Sequence, residues 1–171
     1  TVGLLKPGFD SGISKIQIPR TRGGYKMLKR FTVENCRGFQ KELVFDLSAR
    51  DYEFNQGLVR NGLVNKAIIY GPNGIGKSSL GIALFDIVAQ LTDKQKMRDQ
   101  YQDNYRNLES DSKVILFDYL FVFDGFTVFY EYAKNDAGDL LWERLIINNV
   151  LVVDYNFFDT SHQFVDRTQV G

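Results

Sequence analysis

Residues 71–78 contain three glycines, a lysine and a serine at a defined spacing. The segment reads Gly-Pro-Asn-Gly-Ile-Gly-Lys-Ser and fits the pattern G-x-x-x-x-G-K-[ST]. The glycines allow a tight curl in which backbone N–H groups surround phosphate oxygens. Lys77 would then reach the terminal phosphates of a nucleotide, and the Ser78 hydroxyl would be offered to Mg²⁺. With average residue usage, the pattern arises by chance in a chain this long well under about once in a hundred.

The segments on either side of this loop match the context that the pattern requires. Residues 67–70, Ala-Ile-Ile-Tyr, predict a short, fully buried strand that enters the loop. Behind the loop, apolar side chains recur at helical spacing and predict an amphipathic helix over about residues 76–91. The positive end of the helix dipole would add to the attraction for phosphate. The apolar positions of this helix are Leu80, Leu84, Ile87, Val88 and Leu91.

Composition places the chain among ordinary globular proteins. Its 171 residues suffice for one domain, and its 21 basic and 21 acidic side chains balance, so no global charge favours a nucleic-acid or membrane partner. No apolar run approaches the roughly 20 residues of a membrane helix. The lone cysteine, Cys36, cannot form an internal disulfide, which fits a reducing compartment. We therefore expect a cytoplasmic protein.

Charge is distributed unevenly along the chain. Five basic residues and one acidic residue precede Met27, which leaves 16 basic and 20 acidic residues from Met27 onward. Residues 1–26 show no sustained periodicity and are either a flexible basic extension or vector-derived or upstream sequence ahead of a natural start at Met27. The second interpretation is favoured, because the organised pattern begins just after Met27. Contact of this basic segment with nucleic acid is a weaker alternative.

Alternating side chains predict an antiparallel fold around the loop. Residues 28–34 and 42–47 each alternate apolar and polar side chains, which predicts two half-exposed strands joined at Arg37-Gly38. Residues 48–65 are expected to form a polar connector. Residues 94–107 are expected to form an exposed helix or loop that offers little to the core.

Residues 113–155 predict a four-stranded antiparallel meander. Apolar and aromatic runs are separated by the turn signals Asp124-Gly125, residues 135–139 and Asn148-Asn149. Both positions of the Asp124-Gly125 turn are expected to tolerate positive φ. The predicted fold class is thus an α/β P-loop protein, more narrowly an α+β lobe with a meander subdomain. Its four strands would span about residues 113–123, 126–134, 140–147 and 150–155.

With these elements in place, residues 28–47 and the loop resemble the SMC and RecF-like branch of ABC-type ATPases. Members begin with a strand, an Asn-Phe-Arg-x-Phe-like corner, a second strand and a Gly-x-Asn-Gly-x-Gly-Lys-Ser loop. Here the corner is Asn-Cys-Arg-Gly-Phe at residues 35–39, with Cys36 in place of an aromatic as a core replacement. The longer connector, Tyr70 and residues 117–125 also resemble bacterial abortive-infection and OLD-type phage-defence ATPases. The resemblance covers about residues 28–155.

This resemblance implies roles for individual residues. Ser78 would bind Mg²⁺, Ser79 would lie on the α-phosphate, and Arg37 would approach the nucleotide or close the corner in a surface ion pair. Phe39 and Tyr70 are interpreted as core aromatics rather than adenine platforms. The β- and γ-phosphates of ATP would be held by Asn73, Gly74, Ile75, Gly76 and Lys77.

Hydrolysis in this branch also uses an Asp-Glu pair at the end of a strand and a Leu-Ser-Gly-Gly-like signature from a second subunit. Apolar runs end at Asp118, Asp124 and Asp154, but glutamate follows none of them, and no Ser-Gly-Gly occurs. We therefore expect residues 27–171 to be an incomplete domain, the amino-terminal lobe of a longer ATPase with negligible turnover alone. In the full-length ATPase, its partners would be a second copy of itself and, through the missing regions, DNA or an effector nuclease. Two alternatives stay open: a self-contained NTPase or kinase that uses Asp154, and a nucleotide-switched binding module.

Overall fold

One helix packs against one face of an antiparallel sheet in the part of the chain that the computed structural model describes, namely residues 25–49, 56–92, 104–159, 161 and 163–166. The fold is therefore α+β. Seven strands form the large sheet in the order β2-β1-β5-β6-β7-β8-β9, and β3 and β4 form a separate hairpin. In chain order the elements are β1 (Lys26–Glu34), β2 (Leu43–Asp46), a short 3-10 helix (Gln56–Leu58), β3 (Val59–Arg60), β4 (Leu63–Val64), α1 (Lys77–Thr92), β5 (Ile115–Phe123), β6 (Phe126–Lys134), β7 (Leu140–Ile147), β8 (Val150–Asn156) and β9 (Gln163–Val165).

The predicted pair of strands and the predicted meander are both confirmed, as β1–β2 and as β5 to β8. Two-residue loops join β5 to β6 and β7 to β8, as the turn signals indicated. Asn148 (φ 48°) and Asn149 (φ 65°) both adopt positive φ, as a type I′ turn requires. In the other loop only Gly125 does so (φ 83°), so the expectation for Asp124 was wrong.

The core lies between α1 and the centre of the sheet. Side chains alternate along β5, so that Phe117 and Tyr119 face the helix while Asp118 lies on the opposite face. Register extends this face to Phe31 on β1 and Tyr132 on β6. Each buried side chain of this size contributes about 1.5–3 kcal/mol relative to exposure. This burial attaches the helix, and with it the loop before it, to the sheet.

The helix prediction is confirmed, but its apolar residues do not all face the core. Leu80, Leu84 and Ile87 pack against the core cluster. Val88 and Leu91, which were predicted to belong to the same face, are 41% and 65% exposed. The carboxyl-terminal part of the helix thus leaves apolar side chains exposed.

The predicted buried strand at residues 67–70 is wrong. These residues form no strand, and Ile68 and Tyr70 are each 90% exposed. A strand needs a neighbouring backbone for its hydrogen bonds, and no strand in the described part of the chain pairs with this segment. Tyr70 is accordingly not a core aromatic.

Two connectors differ from their predictions. Within residues 48–65, the Asn61-Gly62 turn closes the β3–β4 hairpin, and Val64 N donates to Leu47 O at 2.8 Å. Residues 93–103 lie outside the described part, but Tyr105 and Asn107 are only 2% and 7% exposed, so the expectation of little core was wrong for both. In the amino-terminal segment, residues 1–24 lie outside the described part, as do residues 50–55 of the first connector.

Candidate functional site

The glycine-rich loop curls around the Lys77 side chain. The Lys77 Nζ atom donates hydrogen bonds to Gly71 O at 2.7 Å and to Pro72 O at 2.6 Å. Gly74 (φ 86°) and Gly76 (φ 97°) adopt the left-handed backbone that side-chain-bearing residues rarely enter. The helix α1 begins at Lys77 itself. The sequence therefore places an ammonium group inside a tight backbone curl at the amino terminus of a helix.

The Phe39 ring lies beside Gly76 of the glycine-rich loop. A Cβ atom added to Gly76 would lie 3.6 Å from Phe39 Cε1, so the ring occupies the space beside this glycine. Phe39 also packs against the core cluster, which confirms it as a core aromatic. Cys36 is completely buried, as expected of a core replacement at this corner. Burial raises the pKa of its thiol to about 12.

Hydrogen bonds join the corner at residues 35–39 to the segment 104–114. Arg37 N donates to Tyr105 O at 2.9 Å, and Asn107 Nδ2 donates to Arg37 O at 2.6 Å. Asn35 adopts φ 60°, and its side-chain amide donates to Ser112 O at 2.7 Å and to Val114 O at 2.8 Å. These bonds hold Arg37 beside the loop and fix the corner against the later segment.

A cavity of about 430 Å³ opens between this corner, the start of α1 and the segment 104–109. Ser79, the residue predicted to lie on an α-phosphate, lines it together with Arg37. The structure thus brings Arg37 and Ser79 to one site beside the loop. Its volume lies within the range of small-molecule sites. The remaining lining residues are Gly38, Asn104 and residues 106–109.

A buried polar network beneath the site was not predicted from the sequence. Asp86 of α1 is 2% exposed and accepts hydrogen bonds from Tyr105 Oη at 2.6 Å, Tyr132 Oη at 2.7 Å and Lys134 Nζ at 2.7 Å. Tyr119 Oη donates to Ala83 O at 3.0 Å. Helical periodicity gave no signal for Asp86, because at about 100° per residue it projects well away from the predicted stripe of Leu80, Leu84, Ile87, Val88 and Leu91.

The tyrosines of this network remain protonated donors at neutral pH. Burial, followed by the charge of Asp86, raises the pKa of Tyr105 well above its ordinary value. Burial likewise raises the pKa of Tyr132, with further contributions from Tyr119 and Asp86. The Lys134–Asp86 pair has side-chain exposures of only 7% and 0%, so it is a buried ion pair.

The three candidate Asp side chains lie away from this site. Asp154 of β8 pairs with Arg144 at 3.3 Å, and register places both on the sheet face opposite α1. Asp118 lies on the same opposite face, where burial raises its pKa. Asp124 occupies the β5–β6 turn and accepts a hydrogen bond from Tyr25 N at 2.7 Å.

Comparison with known proteins gives no family assignment: no protein-family model matches the chain, and neither does any curated protein. Across the described residues, α1 is too short to traverse a bilayer. The same residues contain no group of three histidine, cysteine, aspartate or glutamate side chains arranged to hold a metal ion.

Proposed function

We propose that this chain binds ATP with Mg²⁺ through residues 71–79, as the amino-terminal part of a longer ABC/SMC-like ATPase in DNA maintenance or phage defence. The observation that carries the proposal is the Lys77 ammonium, which lies within a glycine-rich curl at the start of α1. Two carbonyl oxygens hold it there, and a polyphosphate would offer it stronger, charged acceptors. The helix terminus adds backbone donors and its dipole.

The residues around Lys77 fit a magnesium–triphosphate. Ser78 is exposed in the first turn of α1, where its hydroxyl would supply one oxygen ligand. Mg²⁺ commonly takes its other ligands from phosphate oxygens and water, so a large protein cluster is not required. When bound, the ion would neutralise phosphate charge. The backbone of Asn73, Gly74 and Ile75 would then surround the terminal phosphates.

The adjoining cavity supports a nucleoside rather than a bare polyphosphate as ligand. It lies beside Ser79, so a phosphate chain on the loop would continue into it. Arg37 contributes a cation to its wall. We propose that the ribose and base occupy this space.

Exposed apolar side chains on α1 and before the loop support the proposal that a second layer of structure packs over this helix. Phe85, Val88 and Leu91 of α1 are 67%, 41% and 65% exposed. Ile68 and Tyr70 stand directly before the loop, in a segment with which no strand of the described residues pairs. We propose that one further sheet pairs with residues 67–70 and covers the exposed apolar side chains of α1. In an ABC-like ATPase, such a sheet would belong to the remaining lobe, which would bring the residues for hydrolysis and dimerisation.

The self-contained kinase is less well supported. Its candidate carboxylate, Asp154, lies on the face opposite α1 and is paired with Arg144. A carboxylate that held the magnesium of a nucleotide would need to reach the same side as Ser78. Hydrolysis by the 171-residue chain alone would nevertheless contradict the proposal that residues 27–171 are one lobe.

Isothermal titration calorimetry with Mg²⁺-ATP tests the proposal. We expect wild-type protein to bind and Lys77→Ala to lose at least about 10-fold in affinity, since a charge-assisted hydrogen bond contributes about 1.5–3 kcal/mol. Lys66→Ala is the matched control, because Lys66 is exposed and precedes the loop. Absence of Mg²⁺-dependent binding to folded wild-type protein, or equal effects of the two substitutions, would refute nucleotide binding by this loop.

A further inference from the structure

We infer that Tyr105 is a positioning residue that sets nucleoside affinity. Its hydrogen bond to Asp86 fixes one wall of the cavity, formed by residues 104–109, to α1. The inference rests on the proposed function. It concerns the nucleoside part of the ligand, whereas Lys77 and the loop concern its phosphates.

Tyr105 joins the cavity wall to α1. Its side chain points into the core, where Tyr105 Oη donates to Asp86 Oδ1 at 2.6 Å. The residues on either side of it, Asn104 and Arg106, line the cavity. The position of this wall relative to the helix is therefore tied to one buried hydroxyl.

The hydrogen bond from Tyr105 ends on a firmly held carboxylate. Lys134 Nζ and Tyr132 Oη both donate to Asp86 Oδ2 at 2.7 Å, which leaves Oδ1 directed at Tyr105. An O–H···O⁻ distance of about 2.5–2.7 Å is typical of the stronger, charge-assisted bonds. Removal of the Tyr105 hydroxyl frees the wall from α1, while its bonds to the corner remain and Asp86 keeps two donors.

The wall formed by residues 104–109 is also hydrogen-bonded to the corner at residues 35–39, on the opposite side of the cavity. Tyr105 O accepts a hydrogen bond from Arg37 N at 2.9 Å, and Asn107 N donates to Asn35 O at 3.1 Å. A shift of the segment at Tyr105 would therefore also move the corner that carries Arg37. The glycine-rich loop does not depend on the Tyr105–Asp86 bond, because Lys77 Nζ is held by the carbonyls of Gly71 and Pro72 in the loop itself.

These two attachments predict separable effects on two ligands. Tripolyphosphate can occupy only the loop, whereas ATP also fills the cavity. Loss of the Tyr105 hydroxyl should weaken ATP and leave tripolyphosphate nearly unchanged. A uniform loss of stability would weaken both ligands equally.

The test measures Mg²⁺-ATP and Mg²⁺-tripolyphosphate affinities for wild-type protein, Tyr105→Phe and Tyr132→Phe. Tyr132→Phe is the matched control, because it removes a hydroxyl from the same carboxylate but lies on β6, away from the wall. We expect Tyr105→Phe to lower ATP affinity about 5-fold or more with tripolyphosphate changed less than about 2-fold, and Tyr132→Phe to leave this ratio at its wild-type value. If Tyr105→Phe fails to fold in buffer alone, the same ratio is measured for all three proteins in sucrose, which stabilises the folded state.

An unchanged ratio in folded Tyr105→Phe, or an equal change in Tyr132→Phe, overturns the inference and leaves the proposed function standing. If wild-type protein binds neither ligand, the proposed function fails and the inference fails with it. Amide hydrogen exchange gives a second readout without ligand. Tyr105→Phe should accelerate exchange at residues 105–109 relative to Tyr132→Phe, and equal rates would also overturn the inference.

Discussion

Lys134→Met should destabilise the protein through the carboxylate that it leaves behind. Lys134 Nζ lies 2.7 Å from Asp86 Oδ2, and the two side chains are 7% and 0% exposed. Removal of one partner from a buried ion pair typically costs about 3–5 kcal/mol. Asp86 would keep its two tyrosine donors, so we expect the low end, about 3 kcal/mol. For a domain of this size that loss lowers the melting temperature by about 6–12 °C.

Urea denaturation followed by the fluorescence of Trp142, the single tryptophan, measures this change. Asp86→Asn/Lys134→Met should be more stable than Lys134→Met alone, since it removes both charges and retains an amide oxygen as acceptor. Arg144→Met is the control, because its ion pairs are partly exposed and should contribute less than about 1 kcal/mol. If Lys134→Met loses no more than this control, or the two core substitutions add independently, the buried pair does not hold α1 as argued.

Two further predictions concern the loop and the core. Gly76→Ala should cost about 1–2 kcal/mol of stability and weaken nucleotide binding, because alanine is strained at φ 97° even though its Cβ would make an ordinary 3.6 Å contact with Phe39. The control Gly81→Ala, within α1, should be neutral or stabilising. Equal melting temperatures for the two variants would contradict this prediction. Stability should fall as pH rises from about 9 to about 12, because folding raises the pKa of Cys36 from 9.0 to about 12. The folded state then retains a proton that the unfolded state releases, at about 1.4 kcal/mol per pH unit for such a group. A melting temperature that stays constant from pH 8 to 11 would refute it.

The meander could be predicted from sequence because each part of its signal is local. Alternating side chains define the strands, and Asn148-Asn149 selects a tight turn by its tolerance of positive φ. The same reasoning overlooked Asn61-Gly62, because only two paired residues flank that turn on each side. The loop and the start of α1 were also predicted, since glycine spacing and helical periodicity are properties of adjacent residues.

The wrong or missed predictions concern residues whose structure depends on partners that are distant in the sequence. Residues 67–70 have the composition of a strand, but a strand exists only where another backbone pairs with it. Tyr105 stands in a polar stretch, and its burial depends on Asp86, 19 residues earlier in the chain. Lys134 ends β6 and resembles an ordinary solvent-facing lysine until register brings it to the helix. The cavity wall was missed for the same reason.

The position of Asp86 explains how the sheet can hold the loop without contacting a nucleotide. Asp86 follows Lys77 by nine residues, which is about 13.5 Å along a helix. The ion pair therefore fixes α1 well away from the proposed phosphate site, and the rigid helix carries that position back to Lys77. Tyr105 carries it from the same carboxylate to the cavity wall. One buried charge thus sets the distance between the two halves of the proposed nucleotide site, which is why its substitution should alter ligand preference as well as stability.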